Sequence, residues 1–247
     1  ELLRERERAA ASARAKAELL QMLGHDVRTP LASILNSVHL LGRTLSDETL
    51  ARPMRIIETS ARNLLALVQT VLDAERLEAG VATLAHERFD LRELLAQIVE
   101  EFAAGATAKG VALVLDIDPF LPAPLDGDAV RLGQIFTNLI GNSLKFTATG
   151  AVRVTVRVRE RASETVTLDC AVEDTGVGIA PDHLERIVEP FGQVPGEARK
   201  HDGVGLGLAI CRRILRLHES ELTVASTVGV GSRFGFALRL ARAGDVQ

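Results

Sequence analysis

Apolar residues recur at steps of three and four over the first third of the chain, and this spacing constrains the fold more than any other feature. The two runs are Leu20, Leu23, Val27, Leu31, Ile34, Val38, Leu41 and Leu45, then Leu50, Met54, Ile57, Ala61, Leu64, Val68 and Val71. Such spacing is typical of helices that pack along one another through an apolar seam. The sequence therefore predicts two long helices joined by a short turn.

A hairpin of two such helices leaves half of its apolar stripe uncovered. Pairing with a second copy covers it, so we expect a dimeric four-helix bundle formed by residues 19–82. A monomeric hairpin that packs on the rest of the chain is the alternative. Residues 1–18 alternate Glu and Arg among Ala without Gly or Pro, which predicts a connecting helix that precedes the hairpin.

The remainder, residues 83–242, has the pattern of short helices and strands that is typical of an α+β domain. Asp90 to Glu93 resembles a capping box at a helix start, and Val111 to Ile117 alternates like a strand. Further helices are predicted near 129–146 and 206–218, and strands near 151–159, 166–173, 222–226 and 233–240. Because helices and strands do not alternate regularly, we expect a two-layer α/β sandwich rather than a doubly wound parallel sheet.

Composition excludes several classes of protein. The 247 residues include 47% hydrophobic and 25% charged residues with a net charge of -4, which gives no reason to expect nucleic acid as a partner. No stretch approaches the ~20 apolar residues of a membrane-spanning helix. This fragment is therefore expected to make no membrane contact. Cys170 and Cys211 lack metal-ligand spacing and do not suggest a disulfide framework, which favours a reducing, cytoplasmic setting. The start at Glu1 predicts a fragment of a longer protein, whose membrane attachment stays open.

His25 lies opposite the seam of the first helix, two positions from both Leu23 and Val27, and is expected to be exposed. Asp26 is its neighbour, and Thr29 lies one turn further on the same face. The apolar spacing continues through Pro30, although proline inside a helix costs ~3 kcal/mol. A distortion tolerated beside this polar face favours a functional histidine, whereas a surface histidine alone usually has no special role.

Polar side chains also line one face of the helix predicted at 129–146. Asn138 and Asn142 are one turn apart, and Lys145 follows three residues later. Paired asparagines alone are a weak signal, since they can be purely structural.

Two glycine-rich strings follow. Asp174, Gly176 and Gly178 form a DxGxG turn after an apolar strand, where glycine lets the backbone approach a ligand. The string at 203–208 begins the helix near 206–218 and contributes Gly203, Gly205 and Gly207. Free N–H groups at such a helix start favour phosphate. The string lacks the spacing of the dinucleotide fingerprint and its βαβ setting, so a Rossmann fold is rejected.

The segment Gly24 to Leu31, GHDVRTPL, resembles the H-box of sensor histidine kinases of the HisKA type. This resemblance implies that His25 attacks ATP and that Asp26 orients the ring or accepts its proton. It also links Asp26 and Thr29 to dephosphorylation of a partner protein. Gly24 replaces the usual Ser, and Asp26 the commoner Glu, without removing the required chemistry.

The boxes of the second domain resemble those of the Bergerat ATP-binding fold, shared by histidine kinases, gyrase, MutL-type proteins and heat-shock chaperones. The resemblance covers residues 20–240. It implies that Asp174 binds the adenine amine, that Asn142 ligates Mg²⁺, and that Lys145 contacts phosphate with support from Asn138. The remaining implied nucleotide-binding residues are Gly176, Gly178, Phe191 of the F-box, Gly203, Gly205, Gly207, and Ser232 of the last glycine box. In the polar segment at the position of the family's ATP lid, Arg199 or Lys200 is a candidate phosphate contact; a solvated loop charge is the alternative.

The residue four before Asn142 separates the members of this superfamily. ATP-hydrolysing relatives carry there a Glu that activates water, whereas this chain has Asn138, which cannot accept the proton. The resemblance therefore implies autophosphorylation of His25 by ATP and transfer to an aspartate on the receiver domain of a response regulator, in a homodimer with an upstream sensor domain. A nucleotide-sensing scaffold that binds ATP without kinase activity is the alternative.

Overall fold

The structure is a computed structural model that describes residues 84–189, 192, 205 and 207–242, together with Ile34, Ile57 and Ala61. The latter three are helical and all belong to the predicted seam; Ile34 and Ile57 are 44% and 46% exposed, and Ala61 is buried. Contacts divide the chain into two units, Glu1–Thr83 and Leu84–Gln247. The predicted connecting helix and most of the predicted hairpin lie outside the described residues.

The second unit contains three α-helices and seven strands among its described residues. In chain order these are β1 (Glu87–Phe89), α1 (Leu91–Lys109), β2 (Val111–Ile117), β3 (Leu125–Gly127), α2 (Ala129–Phe146), β4 (Gly150–Arg161), β5 (Thr165–Asp174), α3 (Gly207–Leu217), β6 (Thr223–Thr227) and β7 (Gly231–Arg242). Two short 3₁₀ turns, Pro181–His183 and Arg186–Val188, lie between β5 and α3. The predicted helices and strands are all present within two residues of their expected ends.

The strands form one sheet in the order β1-β3-β7-β5-β4-β2, with β6 paired to the free part of β7. Only β2 and β4 run parallel; the other neighbours are antiparallel. A Rossmann fold needs a mostly parallel sheet, so the topology confirms its rejection. The antiparallel pair of β5 and β7 aligns Asp174 with Ser232, which brings two residues of the expected nucleotide site together.

One face of the sheet is buried and the other faces solvent. On the central strands the buried side chains are Val152, Val154, Val156, Val166, Leu168, Cys170, Val172, Phe234, Phe236, Leu238 and Leu240. The intervening positions carry exposed charges such as Arg153, Asp169 and Arg233. This alternation is typical of a sheet covered by helices on one side only. The predicted two-layer α/β sandwich is therefore confirmed.

Helix α2 lies across the buried face of the sheet. Its apolar side is fully buried, and the Phe136 ring packs against that of Phe236 on β7 with 5.5 Å between centroids. Asp128 caps the helix by accepting a hydrogen bond from the Arg131 N–H (3.0 Å). Likewise, Asp90 caps α1, but it accepts the Arg92 N–H (2.7 Å) rather than the Glu93 N–H that the expected capping box would use. These caps fix where the two helices begin.

Candidate nucleotide-binding site

Asp174 ends strand β5 and is held by donors from three directions. One carboxylate oxygen accepts the Gly176 N–H (2.9 Å) and the Ser232 N–H (3.3 Å), and the other accepts the Ser143 hydroxyl (3.3 Å). Burial raises the pKa of Asp174, and these three hydrogen bonds oppose the rise. The result is a half-buried carboxylate with a fixed orientation, suited to accept a hydrogen bond from a ligand.

Asn138 and Asn142 occupy the polar face of α2 and meet the start of α3. A Cβ atom built at Gly207 would lie 3.6 Å from the Asn138 carboxamide oxygen and 3.5 Å from the Asn142 nitrogen. These are ordinary van der Waals distances, so the first residue of α3 lies directly beside both amides. The helix start, whose N–H groups favour anions, and the two carboxamides predicted from separate motifs are brought together.

The two lysines near the end of α2 have different roles. Lys145, a predicted phosphate contact, is half-buried, and its ammonium lies 5.0 Å from the centroid of the Phe146 ring. Lys109, at the end of α1, donates to the Leu144 carbonyl oxygen (2.9 Å) and so satisfies one of the last carbonyls of α2. Sequence reasoning missed Lys109, because only the packing of α1 against α2 brings it there.

The loop after Asp174 packs tightly on neighbouring backbone. A Cβ atom at Gly176 would lie 2.5 Å from the Phe146 carbonyl oxygen, and the Val177 N–H donates to that same oxygen (3.3 Å). Gly178 has a φ of +68°, and a Cβ there would overlap the Thr227 carbonyl oxygen. Glycine is therefore required at these positions for the loop to lie against both α2 and the β6–β7 turn.

Ser232 lies on β7 with its backbone N–H on Asp174 and its hydroxyl 3.0 Å from that of Ser226. The structure thus brings together Asp174, Gly176, Gly178 and Ser232 in one group. Asn138, Asn142 and Gly207 form a second group on the neighbouring face of α2, and Gly205 is a bend with a φ of +76° just before α3. His25, Asp26, Thr29, Phe191 and Gly203 lie outside the described residues, as do Arg199 and Lys200.

Ser143 and Ser226 are contacts of this site that sequence reasoning missed. Ser143 directly follows Asn142, so its place after a predicted polar face was an available signal. Ser226 pairs with Ser232 in the β6–β7 register, which a hairpin alignment of the two predicted strands would have indicated.

Both cysteines are free and buried, and burial raises the pKa of Cys211 to about 12. Neither thiol is thus suited to bind metal as a thiolate. Among the residues that the structure describes, no group of three His, Cys, Asp or Glu side chains could hold a metal ion. No described helix is both long and apolar enough to cross a membrane.

Comparison with known proteins fits this geometry. Residues 127–242 match the family described as "Histidine kinase-, DNA gyrase B-, and HSP90-like ATPase", so the second unit is an ATP-binding domain of that class. Residues 15–80 match the "His Kinase A (phospho-acceptor) domain". The chain therefore belongs to the histidine kinases and comprises a sensor histidine kinase catalytic core.

Individual relatives agree with this assignment. The chain is 36% identical over 222 residues to "Hybrid signal transduction histidine kinase L" of Dictyostelium discoideum, covering 89% of this chain and 13% of that protein. It is 35% identical over 239 residues to "Sensor protein GacS" of Pseudomonas syringae pv. syringae, covering 96% of this chain and 26% of that protein. The chain thus spans about a quarter or less of the length of these relatives.

A solved structure described as "ShkA full-length in complex with AMPPNP" is similar over 92% of this chain and 47% of that one. The TM-score is 0.69, and the sequences are 34% identical. The fold predicted for the nucleotide-binding domain is thereby supported by both sequence and structure.

Proposed function

We propose that this chain autophosphorylates His25 with ATP and passes the phosphoryl group to an aspartate on the receiver domain of a response regulator. The observation that carries the proposal is the convergence of a preset carboxylate, Asp174, with the two carboxamides of α2 beside the start of α3. The Asp174 carboxylate suits the amine of a purine base. The carboxamides and the N–H groups at the start of α3 suit phosphates. A histidine in the HisKA-matched region supplies the acceptor.

In this proposal Asp174 accepts a hydrogen bond from the exocyclic amine of adenine. A charged acceptor already held by three donors does not need to be ordered when ATP binds, which favours affinity. Lys145 contacts phosphate oxygens with support from Asn138, and Gly203, Gly205 and Gly207 present backbone N–H groups to them. Phe191 is proposed as a further nucleotide-binding residue.

Asn142 is the proposed Mg²⁺ ligand. Its carboxamide lies beside the start of α3, and a carboxamide oxygen suits an ion that prefers oxygen ligands and takes most of them from phosphate and water. When bound, Mg²⁺ neutralises charge on the phosphates during transfer. The protein would contribute one ligand, the Asn142 carboxamide, which α2 holds in place.

Asn138 directs the reaction away from hydrolysis. A neutral carboxamide has no site basic enough to accept a proton from water, so water is not activated at this position. The γ-phosphoryl group is then available to a stronger nucleophile. A histidine ring with a pKa near ~6.5 is largely neutral at pH 7 and is such a nucleophile.

The proposed step forms a bond between a ring nitrogen of His25 and the γ-phosphorus and breaks the bond from that phosphorus to the bridging oxygen, releasing ADP. Asp26 orients the ring or accepts its proton. In the second step the receiver aspartate takes the phosphoryl group and His25 is regenerated. Asp26 and Thr29 are also the residues proposed for phosphatase activity toward the regulator.

We further propose that the chain works as a homodimer through a four-helix bundle. The exposed apolar side chains of Ile34 and Ile57, both on the predicted seam, support this, because a second copy would cover them. The longer protein is proposed to carry a sensor domain before residue 1, with this part in the cytoplasm where ATP is available. Analytical ultracentrifugation of the chain tests the dimer, and a monomer at high micromolar concentration would contradict it.

Incubation with γ-labelled ATP tests the kinase. The wild type should incorporate acid-labile phosphate, and His25→Gln should incorporate none. His86→Gln is the matched control, since His86 is 77% exposed and hydrogen-bonds Asp126 away from the site; it should label like wild type. Wild-type protein that binds ATP without labelling would instead support the nucleotide-sensing scaffold.

A further inference from the structure

The turn between β6 and β7 is held against the loop that follows Asp174 by a backbone hydrogen bond and by close backbone contacts. The Gly229 N–H donates to the Val177 carbonyl oxygen (2.8 Å), and the Thr227 carbonyl lies where a Cβ of Gly178 would be. On the other side, a Cβ at Gly231 would overlap the Asp174 carbonyl oxygen. Hairpin and loop therefore touch backbone to backbone, with glycine at the points of contact.

The hydroxyl of Ser226 lies at the centre of this junction. It accepts the Ile179 N–H (2.8 Å), it donates to the Gly231 carbonyl oxygen (2.9 Å), and it lies 3.0 Å from the Ser232 hydroxyl. A hydroxyl has one proton and two acceptor sites. Since Gly231 takes the proton, Ser232 must donate to Ser226. All three hydrogen-bonding positions of Ser226 are then filled.

This count of hydrogen bonds also determines how the Ser232 hydroxyl can bond to a ligand. Its hydroxyl proton is used within the protein, so toward a ligand Ser232 has only its acceptor sites. Its backbone N–H is the group that holds the Asp174 carboxylate (3.3 Å). Ser226 is therefore connected to the proposed adenine acceptor through Ser232 on one strand and to the end of the loop through Ile179.

We propose that Ser226 is a positioning residue that holds the loop 174–179 against the β6–β7 hairpin and thereby sets the affinity and the base selectivity of the nucleotide site. The inference rests on the proposed function of Asp174 as the adenine contact. Without the Ser226 hydroxyl, the Ile179 N–H, the Gly231 carbonyl and the Ser232 hydroxyl each lose their partner in this junction. The loop then no longer keeps Asp174 in one orientation, and an acceptor that moves discriminates poorly between an amine and a carbonyl on a purine.

Three variants of the full chain separate this role from general support of the hairpin. Ser226→Ala removes the hydroxyl, and Ser226→Thr retains it. Thr223→Ala is the matched control, because the Thr223 hydroxyl makes the same kind of bond, to the Gly235 carbonyl oxygen (2.7 Å), at the far end of the same hairpin. Calorimetry with ATP and with GTP gives the two dissociation constants for each variant, and thermal unfolding monitors the fold.

We expect Ser226→Ala to weaken ATP binding about tenfold, equivalent to ~1.4 kcal/mol, and to reduce the preference for ATP over GTP. Ser226→Thr should stay within threefold of wild type, and Thr223→Ala within twofold. If Ser226→Ala does not fold, Ser226→Cys, a weaker hydrogen-bonding group of similar size, takes its place with the same expectation.

Two results would overturn the inference: ATP affinity and selectivity unchanged in Ser226→Ala, or the same loss in Ser226→Ala and Thr223→Ala. Either leaves the proposed kinase function intact, since wild-type binding is measured in the same series. A wild-type chain that does not bind ATP would overturn the proposed function itself.

Discussion

The Ser143 hydroxyl on α2 donates to the Asp174 carboxylate at the end of β5, across 3.3 Å and 31 positions of sequence. This bond joins the helix that carries the two asparagines to the strand that carries the carboxylate. Together with the backbone donors of Gly176 and Ser232, it orients Asp174 in the protein without any ligand. Loss or neutralisation of this carboxylate should therefore lower the affinity for ATP.

Replacing Asp174 with Asn tests the adenine contact. The carboxamide replaces one of the two acceptor oxygens with an N–H₂ donor, so the side chain can no longer accept from its three protein donors and from the adenine amine together. We expect ATP affinity to fall about 10- to 100-fold, the range for a buried polar group without a partner. Calorimetry measures it. Asp182→Asn makes the same change at a side chain that is 75% exposed, and it should bind ATP like wild type. Unchanged affinity in Asp174→Asn would refute the contact.

The pH dependence of ATP binding should follow the ionisation of Asp174. Burial raises its pKa above the ordinary value of 3.8, so the carboxyl keeps its proton to higher pH than an exposed one. Only the charged form is the strong acceptor, so affinity should rise as pH increases through the raised pKa. Isothermal titrations across this window, each referred to Asp174→Asn at the same pH, remove the titration of ATP itself. A wild-type to variant ratio that does not change with pH would contradict the assignment.

Stability should change with pH in the opposite sense to affinity. Between the ordinary carboxyl pKa and the raised one, the folded chain holds a proton that the unfolded chain has lost, so the free energy of unfolding falls as pH rises. Asp174→Asn does not titrate. The stability of the wild type relative to this variant, measured by urea unfolding without nucleotide, should therefore decrease through the same window. A relative stability that increases would show that hydrogen bonding to the carboxylate outweighs its burial.

Two glycines of the last glycine box should differ sharply in their tolerance of a methyl group. Gly229 and Gly231 both have positive φ, +78° and +137°, but a Cβ at Gly229 meets nothing within 4 Å, whereas at Gly231 it overlaps the Asp174 carbonyl oxygen. Gly229→Ala should cost ~1 kcal/mol of stability from backbone strain alone. Gly231→Ala adds overpacking and should cost at least ~2 kcal/mol more, with loss of ATP binding. Urea unfolding and calorimetry measure both, and similar losses would contradict the backbone contact.

The sequence predicted those parts of the fold whose signals are local. Helix α2 was predicted because the Asp128 cap and its apolar stripe are contained in twenty residues, and β4 and β5 because they alternate over ten or more. Strands β1 and β3 were not predicted, since each is three residues long and Leu125–Gly127 contains two residues that disfavour strands.

Within the site, the motif residues were predicted but their supports were not. Ser226 contacts Ile179 across 47 positions, and Ser143 contacts Asp174 across 31. Such pairs depend on sheet register and on how α2 crosses the sheet. Neither follows from the periodicity of one segment. Nor did periodicity indicate that the glycines at 178 and 231 pack against backbone.

Helix α1 offers a pair of glycines that isolates backbone conformation from packing. Gly105 lies inside the helix and Gly110 ends it with a φ of +71°, and a Cβ at either meets nothing within 4 Å. Gly105→Ala should stabilise the domain by ~0.5–1 kcal/mol, since alanine loses less backbone entropy in a helix. Gly110→Ala should destabilise it by ~1 kcal/mol, because an L-residue is strained in the left-handed region that lets the cap N–H reach the carbonyl oxygens of Ala106 and Thr107. Urea unfolding measures both, with ATP affinity as the control, because α1 carries no proposed nucleotide contact and affinity should stay within twofold. If both variants shift stability in the same direction, the helix does not end at Gly110.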